Sequence, residues 1–442
     1  MSEPATNVLD ALLEAQGVAV LDGAQGTELE RRGVQLGTSK LWSAQLLIDD
    51  PALVQAIHLD YLRAGSDVIT TFTYQASLQG FADAGIDAAT AASLLNRAVD
   101  LAEAARQQFL QEQADAGRSP VSPDAAAGRE PGPTAGPAGP SSGATAGGAR
   151  DPHQQAWRRQ RPLIAFSCGS YGGYLADGSE FGGDYAESTS LDQLADFHAA
   201  RLEPVRHRPE IDLIAFETVP CVKEAEAIIQ LLRRERYGKP AWISFSCRDA
   251  VHTCHGEDFA AAAVPLLAAA EAEGLVVAGG VNCTPPRFVD PLLAAARRQL
   301  AELQEAERPP PAAPAAAASA SSTGIRGEAG AGPVSGPGSA KRRGGLLLLA
   351  YPNSGEDWDG EHRCWRHAPD DIAEPGAFAA AAAGWVAGGA DGGGGSSSGV
   401  GGGGEGGPAR RAVARGAALV GGCCRTGPQH IRALRAKLLG GA

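Results

Sequence analysis

Apolar residues along the chain collect into eight short runs, at 18–21, 67–71, 163–167, 212–216, 242–246, 276–282, 346–351 and 417–420. Most of these runs are continuous rather than alternating, the pattern of parallel strands covered on both faces. Between them apolar residues recur at helical spacing, as in 51–64. A strand followed by a helix, repeated eight times, predicts a (β/α)8 TIM barrel, with an open doubly wound sheet as the alternative built from the same units. A barrel would gather its chemistry just past the C-terminal ends of its strands.

Composition refines the domain count. A chain of 442 residues suggests about three domains from length alone, yet one barrel can absorb about 250 residues or more. About half of the 58 glycines and 29 prolines fall in three tracts, 114–160, 303–344 and 387–411, which are nearly devoid of large apolar side chains. Such tracts cannot bury enough apolar surface to offset their chain entropy. Loop closure costs only about 0.6 kcal/mol per doubling of length, so a stable fold can carry them. The expectation is a single barrel domain over 1–442 with three disordered insertions.

A net charge of −13 argues against a nucleic-acid or anionic-membrane surface, which needs clustered Lys and Arg. No apolar run approaches the ~20 residues of a membrane span. Met1 to Asp10 contain acids but no Lys or Arg, unlike a secretory or mitochondrial leader. These features point to a cytoplasmic protein without a nucleic-acid or membrane partner. Eight cysteines are too sparse for a disulfide scaffold, so a cluster among them suggests metal binding or catalysis.

Chemically unusual residues stand past the strand ends: Asp22, Thr71 to Gln75, Glu217, Cys283, Asn353 and the pair Cys423-Cys424. Gly279-Gly280 and Gly421-Gly422 precede the cysteines and would allow close approach of backbone to a metal or substrate. Three thiolates on one rim fill three positions of tetrahedral Zn²⁺ and leave one open, the arrangement of a catalytic site. Such a centre can deprotonate an incoming thiol and hold it as a nucleophile. A vicinal cysteine pair is equally two small packing side chains, and spacing alone leaves both readings open. Cys168, Cys221, Cys247, Cys254 and Cys364 lack ligand spacing and read as packing residues. His58 and His198 read as packed or surface histidines, and Gly23 and Gly26 as a tight turn.

The stretches Gly421-Gly-Cys-Cys-Arg-Thr-Gly-Pro-Gln-His-Ile431 and Gly280-Val-Asn-Cys-Thr-Pro285 resemble the zinc motifs of the homocysteine S-methyltransferases. The resemblance continues through Leu21-Asp-Gly-Ala-Gln-Gly-Thr-Glu-Leu-Glu30, Thr70-Thr-Phe-Thr-Tyr-Gln-Ala-Ser77, Gly172-Gly-Tyr-Leu-Ala-Asp-Gly-Ser-Glu180, Phe216-Glu-Thr-Val-Pro220 and Tyr351-Pro-Asn-Ser-Gly355. It covers essentially everything outside the three tracts. Ser170, where proline is usual, and Gly427 depart from the family pattern without touching the thiols.

The resemblance implies a zinc-dependent barrel that methylates L-homocysteine to methionine, with Cys283, Cys423 and Cys424 as zinc ligands and no catalytic residue beyond that centre. It implies that Asp22 and Glu217 hold the amino-acid end of homocysteine, their charge suiting an ammonium. Thr73, Tyr74 and Gln75 would line the same mouth, and Asn353 would either bond the pocket or shape its turn. Trp42 and Trp365 read as pocket walls facing a cationic donor or as core packing. The wording of Leu41-Trp-Ser-Ala44 and Ala176-Asp-Gly-Ser-Glu180 sits with the S-methylmethionine type. The chain has no room for the folate and corrinoid domains of the cobalamin type, and only a short stretch follows Cys424, unlike the betaine type. The expected donor is therefore S-methylmethionine or S-adenosylmethionine, and the expected state a monomer. Selenocysteine or betaine chemistry, and a zinc- or redox-responsive barrel without turnover, are the alternatives.

Overall fold

The computed structural model describes residues 8–36, 41–116, 160–308, 345–359, 364–368, 370–388 and 416–440. All eight predicted strands are present: β1 Ala19–Val20, β2 Val68–Thr70, β3 Leu163–Gly169, β4 Leu213–Val219, β5 Ala241–Phe245, β6 Ala278–Asn282, β7 Leu347–Tyr351 and β8 Leu419–Val420. They pair in parallel from β2 through β8 and on to β1. A parallel bridge between Leu21 and Val68 links β1 to β2, so the sheet curls back on itself as a barrel and not as an open sheet.

Continuous apolar runs follow from this closure, because each strand has an inside and an outside that are both dry. Val20, Ile69, Ile164, Phe166, Ile214, Phe216, Ile243, Phe245, Val281, Leu348 and Val420 pack outward in one cluster with the helices. Their neighbours Ala19, Leu21, Val68, Leu163, Ala165, Leu213, Ala215, Trp242, Ala278, Leu347, Leu349 and Leu419 form a second cluster inside. Leu9 and Leu12 of the helix Val8–Gln16 join the inner cluster. Burial of each such leucine contributes about 1.5–3 kcal/mol.

The connecting helices carry their own start and stop signals. In Pro51–Ala64, Asp50 accepts a hydrogen bond from the Leu53 N–H, Pro51 opens the first turn, and Gly65 ends the helix at φ 119°. Each device satisfies or releases backbone groups at a helix end. Ser190 and Gln193 form a reciprocal capping box at the start of Leu191–Leu202.

The starts of all three tracts need correction, the third by a single residue, since Ala387 still belongs to helix Pro375–Ala387. Helix Ala88–Ala116 covers the first residues of the tract placed at 114, and helix Val289–Ala306 covers those of the tract placed at 303. Ala, Gln and Glu support helix as readily as solvated loop, so composition alone sets these edges early. Residues 117–159, 309–344 and 389–415, the bulk of the three tracts, lie outside the described residues. A small antiparallel pair, Asp357–Asp359 with Cys364–Arg366, comes after β7 and was not expected from the sequence. Among the described residues no helix is long and apolar enough to cross a membrane.

Candidate metal centre

Inside the barrel, the apolar rows give way to polar side chains toward the C-terminal ends of the strands. Thr70 follows Val68 by two places, Ser167 follows Ala165, Glu217 follows Ala215, Ser244 follows Trp242 and Tyr351 follows Leu349. Since side chains alternate along a strand, this spacing keeps each on the inner face. The register also sets Gly169 beside Glu217 and Asn282 beside Tyr351.

Two carboxylates are held in this layer. Asp22 is 5% exposed, and its Oδ2 accepts from the Thr70 N–H at 2.7 Å and the Thr70 hydroxyl at 3.0 Å. Burial, with Glu217 nearby adding like charge, raises its pKa to about 8 despite those hydrogen bonds. Glu217 is also buried. The Ser167 hydroxyl donates to its Oε1, and the Tyr351 hydroxyl donates to its Oε2 at 3.1 Å. Burial raises its pKa too, against the lowering by these two donors. Tyr351 is itself fixed by Ser244 at 2.5 Å and by the Trp242 N–H at 3.2 Å. The result is a pair of acids in a dry cup, each favouring a cationic partner.

The three sulfurs meet beside this cup. Cys283, Cys423 and Cys424 place their Sγ atoms within 4.8 Å of one another. Cys283 and Cys423 are joined as a disulfide with Cα atoms 5.5 Å apart, and Cys424 is a free thiol. Cys424 Sγ lies 3.8 Å from Cys283 Sγ, which matches the sulfur–sulfur edge of about 3.8 Å for a tetrahedron with Zn–S near 2.3 Å. Once the disulfide is reduced, the donor set fits a soft metal such as zinc. Burial pushes the Cys424 thiol up to about 11, so a metal or cation is needed to hold it as thiolate.

The backbone delivers these sulfurs at a conformational cost. Cys283 has φ 45° and Arg425 φ 71°, while Thr218, just after Glu217, has φ 59°. Non-glycine residues seldom occupy that region unless the surroundings hold them. Asn282 pins Thr218, accepting from its N–H at 2.8 Å and donating to its hydroxyl at 2.7 Å. The Cys423 N–H donates to Pro352 O, and Cys424 O accepts from the Ser354 N–H. Arg425 forms a two-point ion pair with Glu356. Close approach also explains two of the glycines: a Cβ on Gly280 would sit 2.0 Å from Leu349 O, and one on Gly422 would sit 2.1 Å from Thr426 Oγ1.

The remaining predicted residues divide. Thr73 is fully buried, and its hydroxyl donates to Ser167 O at 2.7 Å, which ties the segment after β2 to β3. Tyr74 is half-buried, with its ring against Gly169 and Gly173; burial and the nearby acids raise its pKa strongly. Gln75 has a buried Oε1 without a hydrogen-bond partner. Asn353 Oδ1 accepts from the Gly355 N–H at 3.0 Å, which is the turn-shaping geometry. Cys168, Cys221, Cys247 and Cys254 are buried away from the sulfur group. His58 is buried edge-on to Phe72 and pushed down to about 3 by burial, hence neutral, and His198 pairs with Glu224. The side chains of Trp42, Cys364 and Trp365 lie outside the described residues. Thr70, Ser167, Ser244, Asn282 and Tyr351 were not singled out from the sequence, although a polar residue closing an inward apolar row was the available signal.

A sequence profile described as homocysteine S-methyltransferase matches residues 19–438. Homocysteine S-methyltransferase 2 of Zea mays is 32% identical over 425 residues, covering 96% of this chain and 91% of its own length. Selenocysteine Se-methyltransferase of Brassica oleracea var. italica is 30% identical, covering 97% of this chain and 91% of its own length. The homocysteine methyltransferase MmuM from Escherichia coli is similar in structure. Its metallated form gives a TM-score of 0.60 at 29% identity, covering 97% of this chain and 99% of that one. Its oxidized form gives 0.61 at 30% identity, covering 98% and 100%.

Proposed function

The chain belongs to the homocysteine S-methyltransferase family, and from that premise we propose that it moves a methyl group from S-methylmethionine to L-homocysteine at a zinc ion held by Cys283, Cys423 and Cys424. The observation that carries this reading is the meeting of three sulfurs from the ends of β6 and β8 beside two buried carboxylates. When bound, zinc supplies the lowered thiol pKa that makes a thiolate available at neutral pH.

The protein's own groups do the rest. Asp22 and Glu217 receive the ammonium of homocysteine, and their desolvation strengthens that pairing. Thr70, Ser167 and Tyr351 hold the two carboxylates in place. Tyr74, Gln75 and the loop turned by Asn353 complete the wall. The homocysteine sulfur then forms a bond to the methyl carbon as the carbon–sulfonium bond breaks. The electron pair stays on the departing sulfur, which leaves as neutral methionine, and the thiol proton goes to solvent. A neutral leaving group requires no general acid, so positioning and exclusion of water are the protein's main contributions. The reading includes a monomer that takes only small molecules.

One observation favours a second reading. The Cys283–Cys423 disulfide suits a redox-responsive barrel without turnover, but such a protein has no task for the Asp22 and Glu217 pair. The deciding experiment supplies reduced, zinc-loaded protein with homocysteine and, in parallel, S-methylmethionine, S-adenosylmethionine and betaine. Methionine formation with S-methylmethionine, lost on chelation, supports the enzyme; bound zinc without turnover from any donor overturns it. Selenocysteine in place of homocysteine tests the wider acceptor range.

A further inference from the structure

A third carboxylate stands at the mouth and has no part in holding homocysteine. Glu180 lies in the short turn Ser179–Phe181 that comes after β3. Its backbone is fixed from two sides: the Ser246 hydroxyl donates to Glu180 O at 3.0 Å, and the turn rests so close on Gly172 that a Cβ there would meet Glu180 N at 2.5 Å. Ser246 directly follows β5, so the turn bridges two strand ends of the barrel rim. The carboxyl carries one buried oxygen, Oε2, without a hydrogen-bond partner. Gly172 carries this turn while its neighbour Gly173 carries the Tyr74 ring, which sets Glu180 on the Tyr74 side of the mouth.

An unpartnered buried carboxylate oxygen costs free energy unless a ligand completes it. The position suits a cation, because the group is acidic and its buried oxygen has no hydrogen-bond partner. Homocysteine brings a single ammonium, which the Asp22 and Glu217 pair already matches. A sulfonium amino acid brings further positive charge, adjacent to the sulfur that accepts the methyl.

We propose that Glu180 is the donor-recognition residue of this site, receiving the positive charge of a sulfonium methyl donor while Asp22 and Glu217 hold the acceptor. This inference rests on the methyl-transfer reading above and adds to it an assignment of donor selectivity. Phe181, next in the turn and 52% exposed, adds an aromatic side chain to the same turn, a residue type that also favours a sulfonium. The transfer step is unchanged: Glu180 neither gains nor loses a proton and acts only by binding.

The test compares Glu180→Gln and Glu180→Asp with the wild type in the reduced, zinc-loaded full chain. Steady-state kinetics are run with homocysteine and S-methylmethionine varied separately, and equilibrium binding of S-methylmethionine is measured by calorimetry without acceptor. The Gln variant is expected to raise the donor KM and Kd by about ten- to a hundredfold, the effect of losing one charge–charge contact at a partly desolvated site. The homocysteine KM should stay within about twofold, and Glu180→Asp should recover part of the donor affinity. A donor Kd unchanged in Glu180→Gln, or homocysteine and donor KM rising together, overturns the assignment. A wild type that neither binds nor turns over any sulfonium overturns the methyl-transfer reading itself, and this inference with it. Thermal melting of both variants separates a folding defect from a binding one: donor affinity lost only in step with the melting temperature also counts against the proposal.

Discussion

Cys283 Sγ and Cys424 Sγ lie 3.8 Å apart although 141 positions separate them in the chain. Closure of the barrel brings them together, since Cys283 follows β6 and Cys424 follows β8, with β7 between them in the sheet. Removing any one sulfur should therefore remove the metal. Cys424→Ser is expected to lose zinc measured by elemental analysis and to lose turnover, with the far-ultraviolet dichroism unchanged. Full zinc retention would show that this sulfur is not a ligand.

Asp22 gives a pH dependence of defined sign. Its folded pKa of about 8 lies above the ordinary 3.8, so the folded ligand-free chain binds the proton more tightly than the unfolded one. Stability from this group is present at low pH and is lost as pH rises from about 4 through 8. Asp22→Asn is thus expected to melt higher than wild type at pH 9, the gap closing toward pH 4. The same variant should raise the homocysteine KM. A melting difference independent of pH contradicts the buried, protonated carboxyl.

Tyr351 acts on homocysteine through Glu217. Its hydroxyl donates to Glu217 Oε2 at 3.1 Å, and that donor lowers the Glu217 pKa. Tyr351→Phe keeps the ring and removes the donor. The expected result is a homocysteine KM raised about tenfold with the donor KM unchanged, and a shift of the acidic limb of kcat/KM to higher pH. An unaltered pH profile would leave Tyr351 with packing alone.

Gly280 and Gly376 form a contrasting pair. A Cβ on Gly280 would press on Leu349 O at 2.0 Å, whereas one on Gly376 meets nothing within 4 Å. Gly280→Ala should cost about 2 kcal/mol or more in denaturant unfolding, and Gly376→Ala should be neutral or slightly stabilising. Equal effects would contradict the close packing of β6 on β7.

The barrel was legible because both faces of each strand are covered, which leaves continuous apolar runs that end in polar residues. Even the two-residue strands Ala19–Val20 and Leu419–Val420 were marked by the polar and sulfur-bearing residues just beyond them, Asp22 and Cys423-Cys424. The cysteine meeting was readable for the same reason: strand ends in a barrel share one rim. Hydrogen-bond partners were not readable. Whether Asn353 bonded the pocket or its own turn depends on the local path of the backbone, and the structure gives the turn. The bond from the Thr73 hydroxyl to Ser167 O is likewise a partner that spacing cannot name. Glu180 lay in a family-like motif, yet its significance depends on an unpaired oxygen that spacing cannot reveal. Helix ends at Ala116 and Ala306 were obscured because alanine-rich helix and alanine-rich tract share a composition.

Zinc X-ray absorption on the reduced, zinc-loaded chain examines the metal shell itself, on which the whole mechanism depends. If three cysteines hold the ion and leave one position for the substrate sulfur, the spectrum reports three sulfur neighbours at about 2.3 Å and one lighter atom, changing to four sulfurs when homocysteine is added. A coordination shell that homocysteine leaves unchanged, or one with fewer than three protein sulfurs, would contradict an open three-cysteine site.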